Sequence, residues 1–155
     1  CAALPNRIHF VGHSLGGLVI RAYLQENPVE TLGRVVLIGT PNQGSDFVDR
    51  YQDRWWLKML GPTTQALGTG PDSLVKSLQV PDYPVGVIAG VQESANDAYL
   101  PGDDDGLVSV AATKLEGMKD FRLVEVGHSA MRYDDTVAQL TVAFLRNGAF
   151  PVESQ

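Results

Sequence analysis

Residues 7–19 read Arg7-Ile8-His9-Phe10-Val11-Gly12-His13-Ser14-Leu15-Gly16-Gly17-Leu18-Val19. An apolar run enters a serine set among glycines, and a second apolar pattern leaves it. Residues 7–11 predict a buried strand. Residues 15–27 predict a helix, with Leu15, Leu18, Val19 and Ala22 at helical spacing and Pro28 as its stop. Between them, Gly12-His13-Ser14-Leu15-Gly16 has the pattern G-x-S-x-G. The pattern alone is weak; its place between strand and helix gives it meaning, because a nucleophile elbow sits there. A sharp strand-to-helix turn forces the serine into a strained backbone conformation. It also brings backbone against backbone, so the positions two before and two after the serine are expected to lack side chains. Ser14 is thereby lifted clear of the sheet, and the Leu15 N–H is left to bind an oxyanion. A dinucleotide-binding turn fits less well. Its fingerprint needs glycine at positions 12, 14 and 17, and the next strand ends in Gly39-Thr40-Pro41 with no acid for a ribose.

Working outward, residues 34–39 form a continuous apolar run, as suits a parallel sheet covered on both faces. Residues 85–89 and 122–126 predict two more strands. A last helix is predicted from Asp135 to Asn147, with Val137, Leu140, Phe144 and Leu145 on one face and Gly148 as its stop. Strands alternating with helices predict an α/β fold with a mostly parallel sheet flanked by helices. Residues 45–80 break the alternation and read as a helical cap inserted into a single domain spanning 1–155. Its apolar cluster, Trp55, Trp56, Leu57, Met59 and Leu60, fits either packing on the sheet-covering helices or an acyl-binding wall over Ser14.

At 155 residues, 44% apolar and 19% charged, the composition is globular. Twelve Lys and Arg against 18 Asp and Glu give a net charge of −6, which speaks against a partner read through a phosphate backbone. No apolar run reaches the roughly 18 residues of a membrane span. The lone cysteine, Cys1, excludes an internal disulfide framework and a cysteine-based metal site. A strand begins within a few residues of Cys1. The reading adopted is a piece of a longer chain, the alternative being a lipid-bearing mature cysteine.

A serine hydroxyl needs a base, and the base needs an orienting acid. Three histidines are present. His9 lies within the first strand and reads as a satisfied or edge histidine. His13 is expected to point away from the Ser14 hydroxyl across the turn. His128, in Val126-Gly127-His128-Ser129, follows a strand and stands where the base is wanted. The acid falls in Pro101-Gly102-Asp103-Asp104-Asp105-Gly106-Leu107-Val108. Asp105 is the first candidate and Asp104 the second, with Asp103 and Asp97 read as surface acids. A cation held by this cluster would need further ligand groups at fixed spacing, and none is seen.

These residues resemble the α/β-hydrolase superfamily, and within it the bacterial lipase and esterase group. The resemblance rests on residues 10–19, then Gly39-Thr40-Pro41-Asn42-Gln43-Gly44-Ser45, then Asp105-Gly106-Leu107-Val108, then Gly127-His128, all in family order. It implies a partial α/β-hydrolase fold with Ser14 as nucleophile, His128 as base and Asp105 as acid. The Leu15 N–H is one half of the oxyanion hole, and no cofactor or metal is implied. The implied substrate is a small-molecule ester or lipid, cleaved through an acyl-enzyme. Acyl transfer on the same triad, or a non-catalytic binding domain of this fold, are the alternatives. Family members carry strands before the elbow strand and a loop there that supplies the second oxyanion donor. That N-terminal half is expected upstream. Without it one sheet edge is expected bare and the piece poorly soluble and nearly inactive, since one oxyanion donor is worth about 2.7–4 kcal/mol.

Overall fold

A computed structural model describes residues 6–44, 74–92 and 102–152. Four strands, β1 (Ile8–His13), β2 (Leu32–Ile38), β3 (Val85–Gly90) and β4 (Asp120–Val124), form one sheet in the order β1-β2-β3-β4. Every neighbouring pair is parallel. The helices are α1 (Leu15–Glu26), α2 (Leu74–Ser77), α3 (Val110–Thr113) and α4 (Asp135–Asn147), with a 3-10 turn at Ala130–Arg132. This is the α/β class with a parallel sheet. Of the cap expected over 45–80, residues 45–73 lie outside the described residues, as does Asp97; the remainder carries α2.

Because helices cover both faces of this parallel sheet, its central strands are apolar on both faces. In β2, Val35 and Leu37 pack with Val85, Val87, Leu115 and Leu24 of α1 on one side. Val36 and Ile38 pack with Ile88, Val124, Val137, Leu140 and Phe144 on the other. The helices therefore cover opposite faces, and a continuous apolar run such as 35–38 has a partner at every position. Phe144 is fully buried, and its ring meets that of Phe150 with centroids 5.0 Å apart. Phe144→Ala is expected to destabilise the protein by about 3–5 kcal/mol, read from urea denaturation midpoints. A loss below about 1 kcal/mol would mean that α4 is not part of the main core.

Helix α4 follows its sequence signals. The Asp134 side chain accepts from the Val137 N–H at 2.9 Å, and Gly148 ends the helix in the left-handed conformation with its N–H on the Phe144 carbonyl. Helix α1 needs a correction. Its buried set is Gly17, Leu18, Arg21 and Leu24, and Val19 is 55% exposed. The spacing counted Val19 and Ala22 as inward because they are apolar. The face is set instead by the close approach of Gly17 to Thr40 and by the hydrogen bonds of Arg21. Strand β4 also starts two residues earlier than expected, since its pairing with β3 begins at Asp120 opposite Gly86. Asp120 fixes that start, taking the Phe121 and Phe150 N–H groups on its carboxylate at 2.8 and 2.7 Å.

Among the described strands β1 is an edge, with Ile8 49% and Val11 46% exposed. His9 sits on this edge, and its Nδ1 accepts the Arg34 N–H at 2.9 Å. None of the described helices is long and apolar enough to cross a membrane.

Candidate active site

In a parallel sheet all carboxyl ends share one rim, so loops far apart in sequence meet there. Ser14 follows β1, Gly39 and Thr40 follow β2, the loop bearing Asp105 follows β3, and His128 follows β4. The rim brings Ser14, Asp105 and His128 together. His128 Nε2 lies 2.9 Å from Ser14 Oγ, and His128 Nδ1 lies 2.7 Å from Asp105 Oδ2. With Nδ1–H donating to the carboxylate, Nε2 is left as the acceptor facing the hydroxyl.

Ser14 stands at φ 54°, ψ −129°, the one described non-glycine residue with positive φ. Its N–H is held by the Ile38 carbonyl at 2.8 Å and its own carbonyl takes the Gly17 N–H at 3.0 Å. The turn is thus bonded on both sides of the strained residue. Leu15 opens α1, so its N–H belongs to the first turn and has no intrahelical acceptor. The steric reading of the flanking glycines is half right. A Cβ on Gly12 would lie 2.7 Å from the Gly17 backbone, but one on Gly16 would meet no described atom within 4 Å. The crowded position after the serine is Gly17, where a Cβ would lie 2.1 Å from Thr40 Oγ1. The first turn of α1 carries residue 17, not 16, back against the end of β2.

Asp105 is 1% exposed and held by its own loop. Its Oδ1 accepts the Leu107 and Val108 N–H groups at 3.0 and 2.8 Å, which turns Oδ2 toward His128. Its carbonyl also takes the His128 N–H at 2.8 Å. Asp104 is buried too, yet its Oδ1 accepts the Gly106 N–H at 2.6 Å within the turn. Asp103 is exposed. Of the three adjacent acids, Asp105 is the one bonded to the imidazole. Among the described residues no three His, Cys, Asp or Glu side chains are grouped to hold a metal ion.

The Gly39-Thr40-Pro41-Asn42 turn has work that its residue types did not disclose. Gly39 has φ +53°, and a Cβ there would lie 2.7 Å from Met131 Cε, 3.2 Å from Asp105 Oδ2 and 3.3 Å from His128 Nδ1. A side chain would press on the carboxylate–imidazole pair. Asn42 donates to the Thr113 carbonyl at 2.7 Å and accepts from Arg21 Nη1 at 3.1 Å. This ties the turn to α1 and to the segment after Asp105. The buried Arg21 also donates to the Gln79 carbonyl. A cavity of about 430 Å³ opens beside Arg21, Gln79 and Tyr83, and shares no residue with the Ser14–His128–Asp105 cluster.

Sequence reading expects His13 only to point away from the Ser14 hydroxyl, and the structure gives it a partner elsewhere. His13 Nε2 lies 2.9 Å from the His128 carbonyl, and the two rings pack with centroids 4.8 Å apart. Burial pushes the His13 imidazole below the usual histidine range, outweighing the hydrogen bond to His128, which acts the other way. No local signal could have shown this contact, because its partner is 115 residues away.

The chain belongs to the family described as alpha/beta hydrolase fold, whose model matches residues 4–130. It is similar to the crystal structure of Bacillus licheniformis lipase BlEst2 in mature form, with 21% identity and a TM-score of 0.68 over 92% of this chain and 66% of that one. The propeptide form of that lipase matches with 20% identity and a TM-score of 0.71, over 97% of this chain and 38% of the other. A metagenomic carboxyl esterase, MGS0156, matches with 18% identity and a TM-score of 0.60, over 88% and 52%. The chain spans less than two thirds of the length of each of these structures. No curated protein matches the chain in sequence.

Proposed function

We propose that this chain carries the nucleophile, base and acid of a serine hydrolase acting on carboxylic esters. The observation that carries the reading is the chain of two hydrogen bonds from Ser14 Oγ through His128 to Asp105, 2.9 and 2.7 Å long, at a strained strand-to-helix turn. Ser14 Oγ attacks the ester carbonyl carbon while His128 Nε2 takes its proton. The Leu15 N–H donates to the oxyanion that forms. Collapse breaks the bond to the alkoxide, which leaves with the proton from His128, and Ser14 keeps the acyl group. Water then attacks, again through His128, and the carboxylic acid departs. Asp105 holds the imidazole in the required tautomer and stabilises its charged form. The names of the similar structures, a lipase and a carboxyl esterase, agree with an ester substrate.

The proposal includes a second oxyanion donor and a strand beside β1 from chain outside these 155 residues. The exposed Ile8 and Val11 on the β1 edge and the greater length of the similar structures support it. Intact-mass spectrometry after incubation with a fluorophosphonate tests the reading. One adduct on the wild type and none on Ser14→Ala is expected. The same labelling is run on a longer chain that restores the sequence before residue 1. A folded protein that takes no label in either form would overturn the proposal.

A further inference from the structure

We propose that His13 is a positioning residue for His128, fastening the base to the strand that carries the nucleophile. This rests on the roles assigned above to Ser14, His128 and Asp105. His128 lies in the loop between β4 and the 3-10 turn, and both its N–H and its Nδ1–H go to Asp105. Both of these bonds run to the one residue, Asp105. A third hold comes from the end of β1. His13 Nε2–H donates to the His128 carbonyl at 2.9 Å, and the His13 ring packs at 48° to the His128 ring.

His13 is covalently next to Ser14. The backbone of His128 is therefore tied to the residue that precedes Ser14 by a bond that does not involve the Asp105 loop, while Asp105 orients the ring. The same residue must remain uncharged to be useful there. His128 becomes an imidazolium during the reaction, and a second cation against its ring would oppose that charge. Arg132 already contributes positive potential at His13 and Asp105 contributes negative potential, while burial favours the neutral ring. A neutral His13 with Nε2–H serves as donor without repelling the base.

The test compares His13→Phe, which keeps a ring and removes the donor, with His13→Gln, which restores an N–H near the Nε2 position. Turnover of a soluble ester and the rate of fluorophosphonate labelling are measured on variants shown to fold by circular dichroism and thermal melting. His13→Phe is expected to lower kcat and the labelling rate by about 10- to 100-fold with KM changed less than about twofold, as suits a base displaced by a fraction of an ångström. His13→Gln is expected to recover most of that loss. Wild-type rates in His13→Phe would overturn the inference. So would equal losses in both variants, or a loss confined to KM. If His13→Phe does not fold, His13→Gln decides alone, and a loss there as large as about 100-fold overturns the inference. These results leave the serine-hydrolase reading standing when the wild type takes the label and Ser14→Ala does not. A wild type that takes no label removes that reading and this inference with it.

Discussion

Ser14→Ala is expected to lower kcat for an ester by on the order of 10⁶-fold on a preparation whose wild type takes the phosphonate label. The magnitude follows from what the change removes. Without Oγ there is no atom 2.9 Å from His128 Nε2 to attack the carbonyl, and the base has no proton to take. Loss of the nucleophile in such a relay disables the unit as a whole, and what survives comes from oxyanion stabilisation and binding alone. The fold should be almost unaffected. Ser14 makes its structural bonds through the backbone, to Ile38 and Gly17, and alanine keeps both. The check is kcat beside the melting temperature. Turnover above about 1% of wild type in a folded Ser14→Ala sample would remove Ser14 from the mechanism.

The second large effect is Asp105→Asn, expected to lower kcat by about 10⁴-fold. Its sign can be argued atom by atom. Oδ1 accepts two backbone N–H groups, from Leu107 and Val108, so the amide oxygen must occupy that place. The amide NH₂ then takes the place of Oδ2, 2.7 Å from His128 Nδ1. Facing a donor, Nδ1 must become the acceptor, and the proton moves to Nε2. An Nε2–H cannot accept the Ser14 proton. Asp104→Asn is the matched control. Its carboxylate bonds to Gly106 within its own turn, and kcat is expected to change by less than about threefold. Equal losses in the two variants would mean that the loop as a whole, and not the Asp105 carboxylate, supports turnover.

What could be read from the sequence follows from how local the signals are. The elbow, the two long helices and the apolar strands rest on neighbours within a few positions; α4 appears with the expected ends, and α1 and the strands appear with ends shifted by one or two residues. The Gly39–Asn42 turn was legible only as a resemblance, because the reason for Gly39 is a carboxylate and an imidazole brought in by β3 and β4. The inward face of α1 was misjudged for a related reason. Arg21 is buried through bonds to Asn42 and Gln79, and hydropathy counts an arginine as outward. His13 shows the limit of local reading. Its neighbours in the chain say nothing of the carbonyl it meets across the rim.

The backbone angle at Ser14 carries a consequence for how this protein resists heat. A side chain at φ 54°, ψ −129° is held against its own preference, at about 1–3 kcal/mol for conformations of this kind. Glycine adopts positive φ without that penalty. Comparing Ser14→Gly with Ser14→Ala isolates the effect, since both lack the hydroxyl. The glycine variant is expected to be about 1 kcal/mol more stable, a rise of roughly 2–4 °C in melting temperature. Stability and reactivity thus pull this position in opposite directions. On the proposed reading, selection for thermal endurance alone would move the elbow toward glycine and remove the hydroxyl that the reaction needs.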